Sequence, residues 1–380
     1  MLPRVWNDLG VAIDFPGSPG HSLGVEWEFA LVDHRTRDLV NKAPELFDLV
    51  TAKHGPQPRL HKELLLNTIE LVTGIHQNTD GAIADLVDLL AKVTPAAAEL
   101  GVDLFGAGTH PFAAWSEQLI TPGPRYEELL ARTQWWGQQM LIWGVHVHVG
   151  ISPEHVMPVV SALLNWHPHL QALSASSPVW AGHDTGYASN RAMMFQQLPT
   201  AGLPFQFEEW SQFEAYAEDL LTTGVIDQVD EIRWDVRPAP RTGTVEVRVC
   251  DGVSTLWEMR ALVALTHCLV VDLCDRLRAG ETLPTLPPWH VQENKWRAAR
   301  YGLDAWIILD AASNERLLRE DLTDLLVRLQ PVAERLDCSD DLALVAEIVR
   351  LGASYQRQRA VSAATEGDLV AVVDSIVREL

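Results

Sequence analysis

Apolar and acidic side chains alternate along the segment Gly24-Val25-Glu26-Trp27-Glu28-Phe29. Successive side chains of a β-strand point to opposite faces of the sheet. The pattern therefore predicts a strand over residues 23–32 that buries its apolar face and carries Glu26 and Glu28 on the other face.

Two later segments repeat this alternation with other ionisable side chains. They are Val145-His146-Val147-His148-Val149-Gly150 and Thr244-Val245-Glu246-Val247-Arg248-Val249. Taken singly, each pair also fits a solvated strand face, a packed histidine or a weak surface ion pair. Because the pattern recurs among strongly apolar residues, we favour a functional site. If the three strands are neighbours, one sheet face gathers Glu26, Glu28, His146, His148, Glu246 and Arg248.

A fourth segment adds two carboxylates, Glu63 and Glu70. Glu70 lies between apolar Ile69 and Leu71, as on a strand, although Glu63 and Glu70 are seven residues apart and could equally share a helix face. An oxygen-rich set of ligands suits Mg²⁺ or Mn²⁺ better than zinc.

Cationic side chains near these segments could hold phosphate or carboxylate oxygens. The candidates are Lys62, Arg191, Arg237 and Arg248. Neither a P-loop nor a GxGxxG motif occurs in the sequence, so we expect phosphoryl transfer assisted by a metal and not a P-loop or Rossmann site.

The charge of the chain excludes some classes of partner. Its 51 acidic and 29 basic side chains give a formal net charge of −22, which repels nucleic-acid phosphates and anionic membranes. No apolar run approaches the roughly 20 residues of a membrane helix. Residues 1–20 have no basic stretch leading into an apolar one, which argues against a secretory signal.

The four cysteines lack CxxC spacing and predict reduced thiols in the cytoplasm. They are Cys250, Cys268, Cys274 and Cys338.

The order of predicted elements favours an α+β fold over a doubly wound parallel sheet, because strands and helices do not alternate one for one. Strands are predicted over residues 23–32, 68–73, 102–106, 145–151, 232–236 and 244–250. Helices are predicted over residues 82–100 with a kink or break at Pro95, 126–141, 153–175 with an interruption near Pro168, 256–277 capped by Ser254, 291–310, 313–335, 340–356 and 366–380. We expect residues 1–380 to form one catalytic domain, with residues from about 290 to 380 mostly helical and packed on the sheet.

The motifs, in this order along the chain, resemble those of the glutamate–cysteine ligase type 2 family, the carboxylate–amine ligases. The similar segments are residues 24–29, 63–73, 144–150, 190–191, 198–204, 234–238, 244–251, 293–297 and 299–302. The resemblance implies the glutamine synthetase superfamily fold, a curved and largely antiparallel sheet that forms an active-site funnel with helices packed behind it.

The resemblance also implies a role for each residue. The implied metal ligands are Glu26, Glu28, Glu63, Glu70, His146 and Glu246. Arg248 and Glu28 are the implied catalytic residues, with Arg248 facing the transferred phosphoryl group. ATP would contact His148 and Arg248. Arg191 would contact a substrate carboxylate or a phosphate, with a structural loop role as the alternative. Lys62 and Arg237 are candidate contacts for ATP and for substrate, respectively, from their charge and position near the motifs. Asn294, Arg297 and Arg300 could line the nucleotide entrance or lie on a helix surface.

The implied activity is an ATP- and Mg²⁺-dependent ligation, with Mn²⁺ as a possible substitute. The γ-phosphoryl group of ATP passes to the side-chain carboxylate of glutamate, and the amine of cysteine then attacks the acyl phosphate. There are three alternatives. The protein could use the same mechanism on another acid or amine, it could be a plain phosphotransferase, or it could be a non-catalytic nucleotide-binding paralogue. A cytoplasmic homo-oligomer is expected.

Overall fold

The computed structural model describes residues 12–380, and among them seven strands form one antiparallel sheet. The first eleven residues, which belong to the segment read as lacking a secretory signal, lie outside the described residues. The strands of the chain are β1 Leu23–Asp33, β2 Leu60–Lys62, β3 Thr68–Val72, β4 Val102–Phe105, β5 Gly144–Gly150, β6 Val179–Trp180, β7 His183–Asp184, β8 Val236–Ala239, β9 Thr244–Asp251, β10 Trp306–Ile308 and β11 Glu315–Leu317.

In the main sheet the strand order is β2-β3-β1-β5-β9-β8, and β4 pairs with the C-terminal half of β1. β6–β7 and β10–β11 form two small separate hairpins. The helices are α1 Ala43–His54, α2 Thr79–Glu99, α3 Pro124–Thr133, α4 Trp135–Gln138, α5 Pro153–Leu163, α6 His167–Ser174, α7 Asn190–Phe195, α8 Trp210–Thr222, α9 Leu256–Arg278, α10 Pro288–Tyr301, α11 Leu318–Arg335, α12 Ser339–Leu351, α13 Ser354–Ala364 and α14 Leu369–Glu379. Within residues 12–380, none of these helices is long and apolar enough to cross a membrane. The predicted α+β class is confirmed.

The hydrophobic core covers one face of the sheet. Trp27 and Phe29 of β1 are fully buried there, in a cluster that includes residues of α2, α5, α6 and α9. The indole Nε1 of Trp27 donates a hydrogen bond to the carbonyl oxygen of Val253, 3.2 Å away. Burial of such a large apolar side chain stabilises the fold by about 1.5–3 kcal/mol. Because this face of β1 is filled, Glu26 and Glu28 project from the opposite face.

One irregularity in the sheet changes the register between β5 and β9. His148 pairs with Glu246, whereas Val145 pairs with Cys250, so a β-bulge adds one residue to β9 between these pairs. The bulge turns Cys250 to the apolar face with Val145, where its thiol is buried. Asp251 pairs with Gly144 and shares its face.

Two helix predictions were wrong in detail, and of the two outcomes predicted at Pro95 the break is excluded. Pro95 does not break α2, although it leaves the carbonyl of Ala91 without its usual helical donor. The predicted helix over residues 126–141 divides into α3 and α4 at Gln134, whose φ of 51° is incompatible with a continuing helix. Helix α9 is capped by Thr255, not Ser254, because the Thr255 hydroxyl accepts the Glu258 N–H.

The C-terminal region is less helical than predicted. Residues 291–310 contain the end of α10 and then β10, which pairs with β11 within residues 313–335. The predicted helix over residues 340–356 ends at Leu351, and α13 begins at Ser354. The predicted strand over residues 232–236 is shifted, since β8 begins at Val236. The interruption near Pro168 is confirmed by the gap between α5 and α6.

Candidate active site

Strand pairing brings the predicted ionisable residues together on the uncovered face of the sheet. β1 lies between β3 and β5, and β9 follows β5. Antiparallel partners share a face, so the register matches Glu28 with Glu70, Glu26 with His146, and His148 with Glu246. The predicted proximity of these strands is confirmed.

Glu26 lies at the centre of the cluster. Its Oε2 is 2.7 Å from Nδ1 of His146, and its Oε1 is 3.3 Å from Nε2 of His148. Burial alone would raise the pKa of Glu26, but the two histidines hold that pKa well below its usual value. Nδ1 of His148 also contacts the Thr244 hydroxyl at 2.9 Å. The carboxylate is therefore held ionised and oriented.

Glu246 is flanked by two arginines. Nε of Arg237 donates to Oε2 of Glu246 at 2.7 Å, and Nη1 of Arg248 donates to Oε1. Burial would raise the pKa of Glu246, but the charges of the two guanidinium groups lower it strongly. The Nε–H of Arg248 is buried without a hydrogen-bond partner, so this guanidinium keeps a donor for a ligand.

On one side of the cluster, the carboxylates of Glu28, Glu63 and Glu70 lie close together and repel one another. Burial, and then the charges of Glu26, Glu63 and Glu28, raise the pKa of Glu70 well above its usual value. Burial likewise raises the pKa of Glu28, whose Oε2 accepts the backbone N–H of Gly144 at 2.5 Å. Crowded carboxylates of this kind favour a cation, because a cation relieves both desolvation and mutual repulsion.

The donor set fits divalent cations. Three overlapping triads each offer ligand atoms within 4.8 Å of one another: Glu26–His148–Glu246, Glu26–Glu70–His146 and Glu28–Glu63–Glu70. Nε2 of His146 is buried and has no hydrogen-bond partner, so a ligand atom is available there. Carboxylates in the majority, with imidazole in the minority, match Mg²⁺ or Mn²⁺.

Arg191 is placed beside the cluster by α7. Its Nη1 donates to the carbonyl oxygens of Arg248 at 3.2 Å and Val249 at 3.4 Å, and the side chain is buried. Gly144 makes this position possible, because a Cβ atom there would lie only 2.7 Å from Cζ of Arg191. Sequence reasoning identified Arg191 but missed the role of Gly144.

Asp251 is a buried residue that sequence reasoning also missed. Its carboxylate accepts hydrogen bonds from the hydroxyls of Ser177 at 2.6 Å and Ser189 at 2.8 Å. Ser189 in turn caps α7, which carries Arg191. Asp251 thereby fixes the start of α7 to the end of β9. The only available signal was its position at the end of the strand motif.

The other cationic candidates have structural partners. Arg237 reaches the cluster through Glu246 and also donates to the carbonyl of Ile232 at 2.7 Å. Lys62 pairs with Ile69, on the apolar phase of β3, and its Nζ lies 5.7 Å from the ring centre of Phe47. The structure therefore does not bring Lys62 to the cluster, and the contact with ATP that was expected of it has no support from its position.

The segment over residues 293–300 has anchoring contacts. The Asn294 amide exchanges two hydrogen bonds, both 2.8 Å, with the backbone of Ile308. Arg297 binds Glu293 at 2.8 Å, and Arg300 donates to the carbonyl of Gly186. These contacts favour the alternative in which the three residues serve the packing of α10.

A buried ion pair connects α10 to the site. Nζ of Lys295 lies 2.7 Å from Oδ2 of Asp235, and Nε2 of His167 lies 3.0 Å from the same oxygen. The backbone carbonyl of Asp235 accepts the N–H of Arg248 at 2.8 Å. Asp235 therefore links α6 and α10 to the strand that carries Arg248.

Comparison with known proteins places this chain in a family. The family described as glutamate-cysteine ligase family 2 matches the chain over residues 22–375. The chain belongs to that family. The resemblance inferred from the motifs is thus confirmed.

Full-length relatives are similar throughout. A protein of Nocardioides sp. (strain ATCC BAA-499 / JS614) with the provisional name glutamate–cysteine ligase 2-3 is 66% identical over 369 residues, which cover 97% of this chain and 98% of the relative. A provisionally named glutamate–cysteine ligase 2 of Mycobacterium tuberculosis (strain ATCC 25177 / H37Ra) is 65% identical over 97% of both chains.

Solved structures share the fold at low identity. Glutamate–cysteine ligase of Francisella tularensis in complex with AMP superposes with a TM-score of 0.68 at 14% identity, over 96% of this chain and 90% of that one. The ligase PafA, in its complex with the ubiquitin-like protein Pup, gives a TM-score of 0.55 at 12% identity, over 94% of this chain and 72% of that one. The predicted glutamine synthetase-like fold is confirmed.

Proposed function

We propose that this protein is an ATP-dependent carboxylate–amine ligase that joins the side-chain carboxylate of glutamate to an amine, with cysteine as the amine named by the family. The observation that supports this most is the pairing of β1, β3, β5 and β9, which gathers carboxylates, two histidines and Arg248 on one sheet face. An intact set of this kind argues against a non-catalytic paralogue.

The proposed cation ligands are Glu26, Glu28, Glu63, Glu70, His146 and Glu246. Bound Mg²⁺ would neutralise charge on the phosphates of ATP and on the transferred group. Glu26 is held ionised by the two histidines, and Glu246 by Arg237 and Arg248. These side chains therefore keep their ligand oxygens deprotonated at neutral pH.

Arg248 is the proposed contact for the transferring phosphoryl group. Its buried Nε–H has no partner, and a guanidinium matches phosphate oxygens in geometry. Arg191, buried beside Glu28, is the proposed contact for a substrate carboxylate. Arg237 donates to Glu246 and is proposed to position that carboxylate, in place of the substrate contact predicted from its charge.

The proposed reaction has two balanced steps. A glutamate carboxylate oxygen attacks the γ-phosphorus, the bond from this phosphorus to the bridging oxygen breaks, and ADP leaves with the electron pair. The amine nitrogen then attacks the acyl carbon, the carbon–oxygen bond to phosphate breaks, and inorganic phosphate leaves while the nitrogen loses a proton. A plain phosphotransferase would stop after the first step.

We also propose that residues 1–380 act as one catalytic unit in the cytoplasm, as a homo-oligomer. The main hydrophobic cluster includes residues from Phe15 to Tyr355, so the sheet and most C-terminal helices share it. All four cysteines are free and buried, in agreement with the expected thiols.

An assay of ADP and amide tests the proposal. Purified protein is incubated with ATP, Mg²⁺, glutamate and an amine, ADP is quantified, and the amide is identified by mass. Glu26→Gln and Arg248→Ala should each lower turnover at least about 100-fold, the range found when one transition-state contact is removed. Glu208→Gln, at an exposed carboxylate, is the matched control.

Cation binding is measured separately from turnover. The electron paramagnetic resonance signal of Mn²⁺, titrated without nucleotide, should report weaker binding to Glu26→Gln than to the control. Full activity in both site variants would refute the site, and absence of ADP with every amine would refute the ligase.

A further inference from the structure

A cavity of about 210 Å³ lies next to the acidic cluster and has no role in the chemistry proposed above. Its apolar lining comes from three segments of the chain and consists of Leu64, Leu65, Trp115, Ile120 and Leu130. Among the described residues that line it, none carries a charge. The rest of the lining is Ser116, Gln118, Gly137 and Gln138. An occupant of this cavity would therefore be neutral.

The cavity is on the same face of the sheet as the cluster. Along β1, Ala30 and Val32 follow Glu28 on that face, and they belong to a hydrophobic cluster that includes Leu65. Leu64, Trp115 and Ile120 pack against this cluster. The cavity thus lies beyond the Glu28 end of the row of acids.

Glu63 joins the cavity to the acidic cluster directly. Its carboxylate is part of the triad with Glu28 and Glu70, and its chain neighbour Leu64 lines the cavity. The hydroxyl of Thr121 donates to the carbonyl oxygen of Glu63 at 2.5 Å. The chain therefore passes directly from an acid of the cluster to the wall of the cavity.

The wall of the cavity is held in place by backbone pairing. Leu65 and Ile120 form an antiparallel bridge, and the N–H of Thr121 donates to the carbonyl of Leu64 at 2.8 Å. The Gln118 amide, which also lines the cavity, is engaged with Asn67 at 2.8 Å and Ala114 at 3.0 Å. A preformed wall of this kind selects ligands by size.

The volume sets the size of the occupant. An apolar cavity of about 150 Å³ binds benzene, so this one accommodates a phenyl or branched aliphatic group. The CH₂SH side chain of cysteine would leave much of the cavity empty. No cationic side chain lines the cavity to stabilise a thiolate.

On the basis of the ligase function proposed above, we propose that this cavity receives the side chain of the amine substrate, and that this amine carries an apolar group larger than that of cysteine. L-phenylalanine and L-leucine are the representatives of this class. The inference specifies the amine and leaves the acid, the nucleotide and the order of steps unchanged.

The test compares kcat/KM for four amines with ATP, Mg²⁺ and glutamate: L-alanine, L-cysteine, L-leucine and L-phenylalanine. Leucine or phenylalanine should exceed cysteine by about 10-fold or more, since one methylene in an apolar pocket gives 10–200-fold. Ile120→Phe fills the cavity and should lower kcat/KM for phenylalanine about 10-fold, whereas kcat/KM for alanine should change less than about 2-fold. Trp115→Ala, which removes one wall, should also reduce the preference, and exposed Trp296→Ala is the control.

Two results would overturn the inference and leave the ligase proposal intact. One is a higher kcat/KM for cysteine than for phenylalanine and leucine. The other is an equal decrease in kcat/KM for all four amines in Ile120→Phe and Trp115→Ala. Absence of amide with every amine would instead contradict the proposed function, and this inference with it.

Discussion

Replacing Asp235 with asparagine should destabilise the protein strongly although the two side chains have the same shape. Asp235 and Lys295 are both nearly inaccessible to solvent, 5% and 6% exposed at their side chains, and they meet at 2.7 Å. The carboxylate is also the partner of His167. Asparagine would leave the Lys295 ammonium group buried without a counter-charge.

The expected loss is about 3–5 kcal/mol, the range for breaking a buried ion pair by removing one partner. For 380 residues, an unfolding entropy of about 2.1 cal/mol/K per residue gives about 0.8 kcal/mol/K in total. The melting temperature should therefore fall by about 4–6 °C. Glu99→Gln, which breaks the exposed pair with Lys53, should cost less than about 1 kcal/mol and serves as the control.

A double variant separates charge from packing. Asp235→Asn with Lys295→Met removes the unpaired ammonium and should recover at least about half of the lost stability, since apolar replacement of buried pairs is often neutral. Denaturation in urea and thermal scanning, in low and high salt, measure all three proteins. An Asp235→Asn protein that melts within 1 °C of the parent, or a double variant less stable than the single one, would refute the reasoning.

Three further predictions concern other parts of the molecule. Gly144→Ala should lower the free energy of unfolding by about 1–3 kcal/mol, because its Cβ displaces the Arg191 guanidinium. Gly24→Ala, whose new Cβ meets an ordinary contact at 3.8 Å, should cause no such loss. Thermal unfolding compares the two variants, and equal losses would contradict the prediction. Burial lowers the pKa of His110 from 6.5 to about 4, so protonation of this side chain favours the unfolded state. The free energy of unfolding should therefore fall as the pH drops from 6.5 towards 4, by about 2 kcal/mol at pH 5. Urea unfolding of the parent and of His110→Asn at pH 7 and 5 checks this, and identical pH dependences would refute it. Saturating Mn²⁺ should raise the melting temperature, since a ligand that binds the native state stabilises it by mass action. The rise should be smaller in Glu26→Gln. An unchanged rise would place the cation elsewhere.

The site could be read from the sequence to the extent that it follows strand alternation. Glu26, His146 and Glu246 fall on one phase of their strands, and an apolar face opposite them fixes that phase against slippage. Lys62 pairs with Ile69, whereas its neighbour His61 pairs with Glu70, so strand alternation places Lys62 on the phase opposite to the acids. Alternation was a sufficient signal wherever a strand was long and one face was buried.

Contacts between distant segments could not be read in this way. The pairing of Asp235 with Lys295 joins residues 60 positions apart, and nothing in a single sequence marks them as partners. Local signals failed at Gln134, where an unusual backbone conformation divides a helical pattern, and at β10, whose three residues are too short to distinguish from a helix. The position of Arg191 followed from the resemblance, whereas its fixation by Asp251 and Gly144 required coordinates.

The β-bulge in β9 has a consequence for how this site can be recognised in other sequences. Residues that share a face of a regular strand are separated by an even number of positions, but Glu246 and Asp251 share a face at an odd separation. A deletion of one residue between them would remove the bulge and leave both carboxylates on one face of a regular strand, at a spacing of four. A chain that keeps both carboxylates on this face at a spacing of five has therefore retained the bulge, whereas a spacing of four or six places them on one face of a strand that lacks it.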